Sequence, residues 1–188
     1  MSKVEAPIYQ VKITLRDSKP PIWRRVLVPG DITLGELHDV IQAVMGWDNS
    51  HLHQFVVSDQ YYSDPFFGLD EYAGNVKDEN RAILSRIVPG EKFKFTYEYD
   101  FGDSWEHIIL VEKILPPDPQ RKLPVCITGK RACPPEDIGG VWGYDTFVEA
   151  VNNPEHPDHE LYSEWFEDGW DPEAFDLDAI NRALGATP

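Results

Sequence analysis

The segment from Phe93 to Leu115 constrains the fold most. Phe93, Phe95, Tyr97 and Tyr99 occupy alternate positions, with Lys92, Lys94, Thr96 and Glu98 between them. A period of two is the signature of a strand with one apolar and one polar face. Asp100 to Asp103 (Asp-Phe-Gly-Asp) supplies turn chemistry, and Trp105 to Leu115 returns as the partner strand until Pro116 to Pro119 ends it. The pair reads as a β-hairpin around which the remaining elements are arranged.

Ile8 to Leu15 alternates in the same way, and Ile22 to Val28 follows after the Pro20-Pro21 break. A hairpin is the simplest geometry for that pair. Next comes a helix from Leu34 to Met45. Thr33 and Glu36 have capping-box spacing, Ile32 and Leu37 are placed for a hydrophobic staple, and Gly46 suits the C-terminal stop. A strand is expected over Leu52 to Val57, a long loop over Asp59 to Asp78, and a short helix over Glu79 to Val88. Cys126 to Gly143 reads as a Gly/Pro-rich loop. Thr146 to Val151, Pro157 to Glu167 (with Leu161, Trp165 and Phe166 inward) and Asp176 to Leu184 read as helices. Strands first and helices last argue for one α+β domain: a mainly antiparallel sheet with helices packed on it and a helical, acidic C-terminal third. Its parts are a β-rich body over 8–115, the loop over 116–143 and the helical part over 144–188.

Charge divides along the same lines. The 188 residues carry a net charge of −16, yet from Pro134 onward there are 14 acidic residues and a single basic one, Arg182. The rest of the chain nets only −3. A pI near 4.6 sets bulk charge against a phosphate backbone. The nearly neutral body leaves local nucleic-acid contact open. The longest unbroken apolar run is four residues, Ile108 to Val111, far below the ~20 that span a bilayer. Two cysteines make no disulfide scaffold, and the first ten residues lack a secretory apolar core. A cytoplasmic protein without membrane contact is the expectation.

Three groups of residues bear chemistry. Asp100, Asp103 and His107 lie at the central turn, with Asp103, Trp105 and His107 spaced by two so that they point the same way. His51 and His53 have the same spacing. Asp100, Asp103 and His107 are therefore catalytic candidates, and His51, His53, Asp103 and His107 are metal candidates. Imidazole plus carboxylate is a ligand set suited to a divalent metal such as Zn. The alternative is structural: Asp100 and Asp103 capping a turn, His107 a hydrogen-bonded histidine beside the core. The second group is Cys126 and Cys133, whose gap is not a zinc-ribbon spacing and whose two thiolates cannot close a zinc site. Buried thiols, a disulfide, or a Cys/Cys/His site with His107 remain open, as does a role for Glu136 and Asp137 as turn caps or a carboxylate pair. The third is Trp23, Arg24 and Arg25, a type of residue cluster found at binding hot spots, or else one Arg paired with acidic groups beside a packed Trp. No phosphate-binding glycine loop, nucleophile elbow or His-Glu-x-x-His is present.

In order along the chain come Ile8 to Leu15, Pro21 to Arg25, Leu34 to Trp47 with His51-Leu-His53, Tyr99 to His107, Ala132 to Asp137, and Gly139, Gly140, Trp142, Gly143 and Tyr144. Together, from about Ile8 to about Leu184, they resemble the plasmid pRiA open-reading-frame-three-like family of small bacterial and archaeal proteins, some carried on plasmids or mobile elements. The resemblance implies an α+β fold more than an activity. Where this chain has Ile138 the family pattern carries a third Cys, so a three-thiol loop is absent here.

The residues support readings of three classes. In the first, the chain is a non-enzymatic domain binding a partner, a protein, through an aromatic and acidic surface to which Trp23, Arg24, Arg25, Trp105, Glu136 and Asp137 contribute. In the second it is a metal-dependent hydrolase or nuclease using His51, His53, Asp100, Asp103 and His107. In the third it is an accessory DNA-associated protein of mobile-element origin.

Overall fold

The structure is a computed structural model that describes residues 5–69, 74–163, 166 and 170–186. Eight strands form one sheet: β1 (Ile8–Leu15), β2 (Trp23–Pro29), β3 (His53–Val57), β4 (Gln60–Ser63), β5 (Val76–Asp78), β6 (Lys94–Tyr99), β7 (Trp105–Leu115) and β8 (Val125–Lys130). Their spatial order is β5-β4-β3-β6-β7-β1-β2-β8, antiparallel throughout except for the β4–β5 pair. Among the described residues five α-helices accompany it: α1 (Leu34–Met45), the single turn α2 (Leu84–Ile87), α3 (Gly140–Asn152), α4 (His159–Ser163) and α5 (Leu177–Ala186). The architecture is mixed α+β, mostly sheet with helices. No helix among the described residues is long and apolar enough to cross a membrane.

The β6–β7 hairpin forms with Tyr97 opposite His107 and Tyr99 opposite Trp105. Phe95, Tyr97, Tyr99, Trp105, His107, Ile109 and Val111 are all buried on one face. Helix α1 covers that face with Leu34, Leu37, Ile41 and Val44, all but sealed from solvent. Its ends match the local signals. The Glu36 amide donates to Thr33 Oγ1 and the Thr33 amide to Glu36 Oε2, completing the capping box. Gly46 takes the left-handed conformation at φ 87° and its amide donates to the Gln42 carbonyl.

Several expectations require correction. The stretch from Asp59 to Asp78 is not a loop throughout, because it contains β4 and β5. Ser58 and Asp59 both have positive φ, forming a two-residue hairpin turn without the Asn-Gly signature that usually announces one. The expected helix over Glu79 to Val88 is split: Glu79–Arg81 is a 3₁₀ turn and only Leu84–Ile87 is α-helical. Ala82 and Ile83 stay extended because their backbone pairs with residues 32–34: the Leu34 amide donates to the Ala82 carbonyl and the Leu84 amide to Ile32. The stretch from Cys126 to Gly143 holds most of β8, paired with β2, and the start of α3. Within the expected helix over Pro157 to Glu167, His159–Ser163 is the helical stretch among the described residues, and Leu161 is exposed rather than inward. Phe166 packs edge-on to Phe147; Trp165 and Glu167 lie outside the described residues.

Candidate functional site

Three chain segments meet at one end of the sheet: the residues after α1, the β6–β7 turn, and the loop before α3. Trp47 Nε1 donates to the Pro134 carbonyl at 2.9 Å. The Asp48 amide and the Tyr99 hydroxyl both donate to Glu136 Oε1, at 3.1 and 2.7 Å. The Ser50 amide donates to Tyr99 Oη at 2.8 Å. Burial, with the Glu136 carboxylate beside it, pushes the Tyr99 phenol well up. On the turn itself, Asp100 Oδ1 accepts the Gly102 amide, and Asp103 Oδ2 accepts the Gly139 amide at 3.1 Å. The segments are thus tied by backbone amides on fixed carboxylates, which are stronger than neutral hydrogen bonds.

Of the metal candidates, the fold brings His51 together with Asp100 and with Asp137, a residue from the loop before α3. His51 Nδ1 lies 3.7 Å from Asp100 Oδ2, and Nε2 lies 3.3 Å from Asp137 Oδ1. It does not bring His53, Asp103 and His107 to the same point. The period-two argument fails for His51 because that residue precedes β3, whose first residue is His53. His53 is buried, with Nε2 3.0 Å from Glu79 Oε1 and its ring stacked on His38 at 3.4 Å. His107 is fully buried, edge-on to Trp47 at 5.2 Å, with no hydrogen-bond partner of good geometry for either ring nitrogen. Burial lowers its pKa to about 4. Trp105 is also fully buried, tilted against Trp47.

The remaining candidates are placed as follows. Arg24 is buried; its Nε donates to the Val44 carbonyl at the end of α1 and Nη1 to the carbonyls of Trp23 and Lys130. Arg25 donates twice to Glu112, and the Lys12 and Arg25 cations both lie over the Trp23 ring. Cys126 and Cys133 are buried free thiols, and burial raises both. Among the described residues they form no ligand set with His107.

Sequence reasoning misses His38, Glu79 and Trp142. His38 and Gln42 are polar residues one helical turn apart on the apolar face of α1, and both reach Tyr97 Oη, at 2.8 and 3.0 Å. That break in an apolar stripe is the signal they leave. Trp142 leaves only its position beside two glycines. Gly140 sits at φ 70°, where a Cβ would stand 2.3 Å from the Asp103 carbonyl oxygen, so α3 begins in contact with the β6–β7 turn. A Cβ on Gly143 would stand 1.9 Å from the Ile138 carbonyl oxygen. Between those close approaches the helix displays Trp142, 87% exposed. Gly143→Ala is expected to cost about 1–3 kcal/mol by overpacking, read as a lower urea midpoint at unchanged m-value; unchanged stability would contradict the packing.

Trp142 stands at the mouth of a cavity of about 580 Å³ between the β1–β2 turn and α3. Its apolar lining is Ile22, Val141, Tyr144 and Val148. Its charged lining is Asp17, Asp145, Glu149 and Glu173 against Lys19 and Arg131, and Arg131 is already paired with Glu173 at 2.7 Å. A second, smaller recess on the other side of Trp142 is lined by Asp103 and by Arg16, which is paired with Glu106.

Comparison with known proteins gives consistent matches. A family model described as plasmid pRiA4b ORF-3-like protein matches residues 7–179. Uncharacterized protein y4hQ of Sinorhizobium fredii is 38% identical over 181 residues, covering 95% of this chain and 91% of that protein. The crystal structure of a protein of unknown function, MM3350 from Methanosarcina mazei Go1, is similar with a TM-score of 0.78 and 36% identity, covering 93% of this chain and 97% of that one.

Proposed function

The chain belongs to the plasmid pRiA4b ORF-3-like protein family, and we propose that it is a partner-binding domain that seats a basic polypeptide segment in the groove beside Trp142. The observation that carries this reading is an almost fully exposed Trp at the mouth of a cavity of about 580 Å³ with an acidic rim. Concave sites that hold specific ligands run to roughly 300–1,000 Å³ with apolar walls and a few placed polar groups. Trp is enriched among the residues that dominate binding energy. Its ring attracts cations over its face, worth about 0.5–2 kcal/mol depending on desolvation. With Glu173 taken by Arg131, the lining charges outside any ion pair among the described residues are Asp17, Asp145 and Glu149 against Lys19. That balance selects Lys- and Arg-bearing segments and steers them by long-range attraction. The chain from Pro134 onward, with 14 acidic residues, carries the same sign of charge.

The test is a fluorescence titration of the full chain with a synthetic decapeptide of alternating Lys and Leu, against a Glu/Leu counterpart, at low ionic strength. Saturable binding of the basic peptide alone is expected, weakening as salt is raised through the Debye-length range. Trp142→Ala is expected to weaken it by about 30-fold, the loss of a ~2 kcal/mol hot spot, with the melting temperature unchanged. Equal binding by the variant, or no preference between the peptides, would overturn the reading.

A further inference from the structure

We propose that His51, Asp100 and Asp137 form a site for a divalent first-row transition-metal ion that clips the three converging segments together. One ring nitrogen and one oxygen from each carboxylate lie within 4.8 Å of one another. The pair distances of 3.3 and 3.7 Å are longer than charge-assisted hydrogen bonds should be. They involve different ring nitrogens, Nδ1 facing Asp100 and Nε2 facing Asp137, and one ion would use a single nitrogen; the Nε2–Asp137 distance of 3.3 Å matches the ~3.4 Å edge between ligand atoms that follows from tetrahedral bonds of ~2.0–2.2 Å. His51 Nε2 is shielded from solvent yet has no hydrogen-bond partner among the described residues, because its approach to Asp137 lacks the geometry of one. A nitrogen left in that state satisfies its lone pair on a cation.

The surroundings orient the donors. Asp100 has Oδ1 occupied by the Gly102 amide, which leaves Oδ2 turned to His51. The His51 ring lies edge-on to Tyr99 at 5.7 Å, and Tyr99 is itself fixed by Ser50 and Glu136. Such outer contacts set ligand direction and commonly change metal affinity 10–100-fold. Asp137 is 68% exposed, so the ion has a route in from solvent and positions left for water. The donor set selects the metal: imidazole disfavours Mg and Ca, and the absence of thiolate disfavours copper(I), leaving Zn, Mn and their neighbours. The clip is independent of the peptide groove, although Asp137 and Trp142 flank the same Gly139-Gly140 step.

The experiment uses the full, tag-free chain, stripped with chelator and titrated calorimetrically with Zn²⁺, with Co²⁺ as an absorbing probe. One equivalent of Zn²⁺ is expected to bind, and Co²⁺ is expected to give visible absorption that Zn²⁺ abolishes. Asp137→Asn and His51→Gln should each weaken binding at least tenfold. Asn tolerates the left-handed backbone at that position, so the first variant keeps the metal-free fold and its circular dichroism. His156→Ala, which removes a separate, half-buried His–Asp contact, should bind as the unaltered chain does. Absence of one-equivalent binding, or the same affinity in Asp137→Asn and His51→Gln as in the unaltered chain, would overturn the site.

Discussion

Lowering the pH from 7 to 5 is expected to remove about 4 kcal/mol of folding stability, ~2 kcal/mol from each of two buried histidines. His38 is lowered from 6.5 to about 3, by burial first and by the neighbouring His53 second; His107 is lowered to about 4 by burial. Both are neutral in the folded protein at neutral pH. In the unfolded chain they take up a proton near pH 6.5, so below that value the unfolded state binds more protons. Stability is therefore complete above about pH 6.5 and falls as the pH drops toward the folded values of about 4 and 3. The groups around His38 are His53 and Glu79 beyond it, Asn49 on its Nε2, and Tyr97 on its Nδ1. None is an exposed carboxylate that would offset the effect. Glu112, held low by Arg25, loses its contribution as the pH falls through the usual carboxylate range and below, so it adds little to the loss in this window. Urea midpoints at the two pH values measure the loss. His107→Leu, which removes a ring without well-formed hydrogen bonds, should cut the pH-dependent part by about half. Equal stability at pH 7 and pH 5 would contradict the burial of both rings.

Glu79→Ala is expected to destabilise the protein by about 3–5 kcal/mol. Glu79 and His53 have side chains only 3% exposed, and both carboxylate oxygens lie within 3.1 Å of His53 Nε2. Removing the carboxylate leaves His53 buried beneath His38 with nothing to receive its ring proton. The expectation separates two roles for Glu79. If the pair were a surface feature, the loss would be under 1 kcal/mol. Replacing His53 and Glu79 together by Leu should recover much of the loss, because a buried polar pair often does little better than apolar side chains of similar volume. A double variant no more stable than Glu79→Ala would mean that packing around His38 requires the pair itself.

The parts of the fold legible in sequence are those decided locally. β1, β2, α1 and the β6–β7 hairpin carry their own periodicity, caps and turns, and each occurs where its pattern places it. β4, β5 and β8 depend on neighbours: β4 exists because the edge of β3 accepts it through an unannounced Ser58-Asp59 turn, and β8 because β2 presents a free edge. The region of the candidate site is legible in the same limited sense. The Tyr99 to His107 string and the Pro134 to Gly140 loop stand out in sequence, but their contact does not. His51 and Asp100 are recognisable as candidate ligands, whereas their juxtaposition with Asp137 arises only when the loop before α3 docks on the turn through Asp103 and Gly139. His53 looks equivalent to His51 in sequence and is not, because β3 begins between them. Trp142 belongs to no apolar period, and its exposure follows from the two tight glycine contacts at the start of α3.

The proposed role of this end of the sheet is to display Trp142 over an acidic groove. Chemical-shift mapping of the full chain with the Lys/Leu decapeptide tests it most directly. Shifts are expected to concentrate at the Trp142 indole, Tyr144, Asp145 and Glu149, with the outer sheet residues Lys12, Trp23 and Arg25 unmoved. Shifts centred on those sheet residues, or none at Trp142, would contradict it.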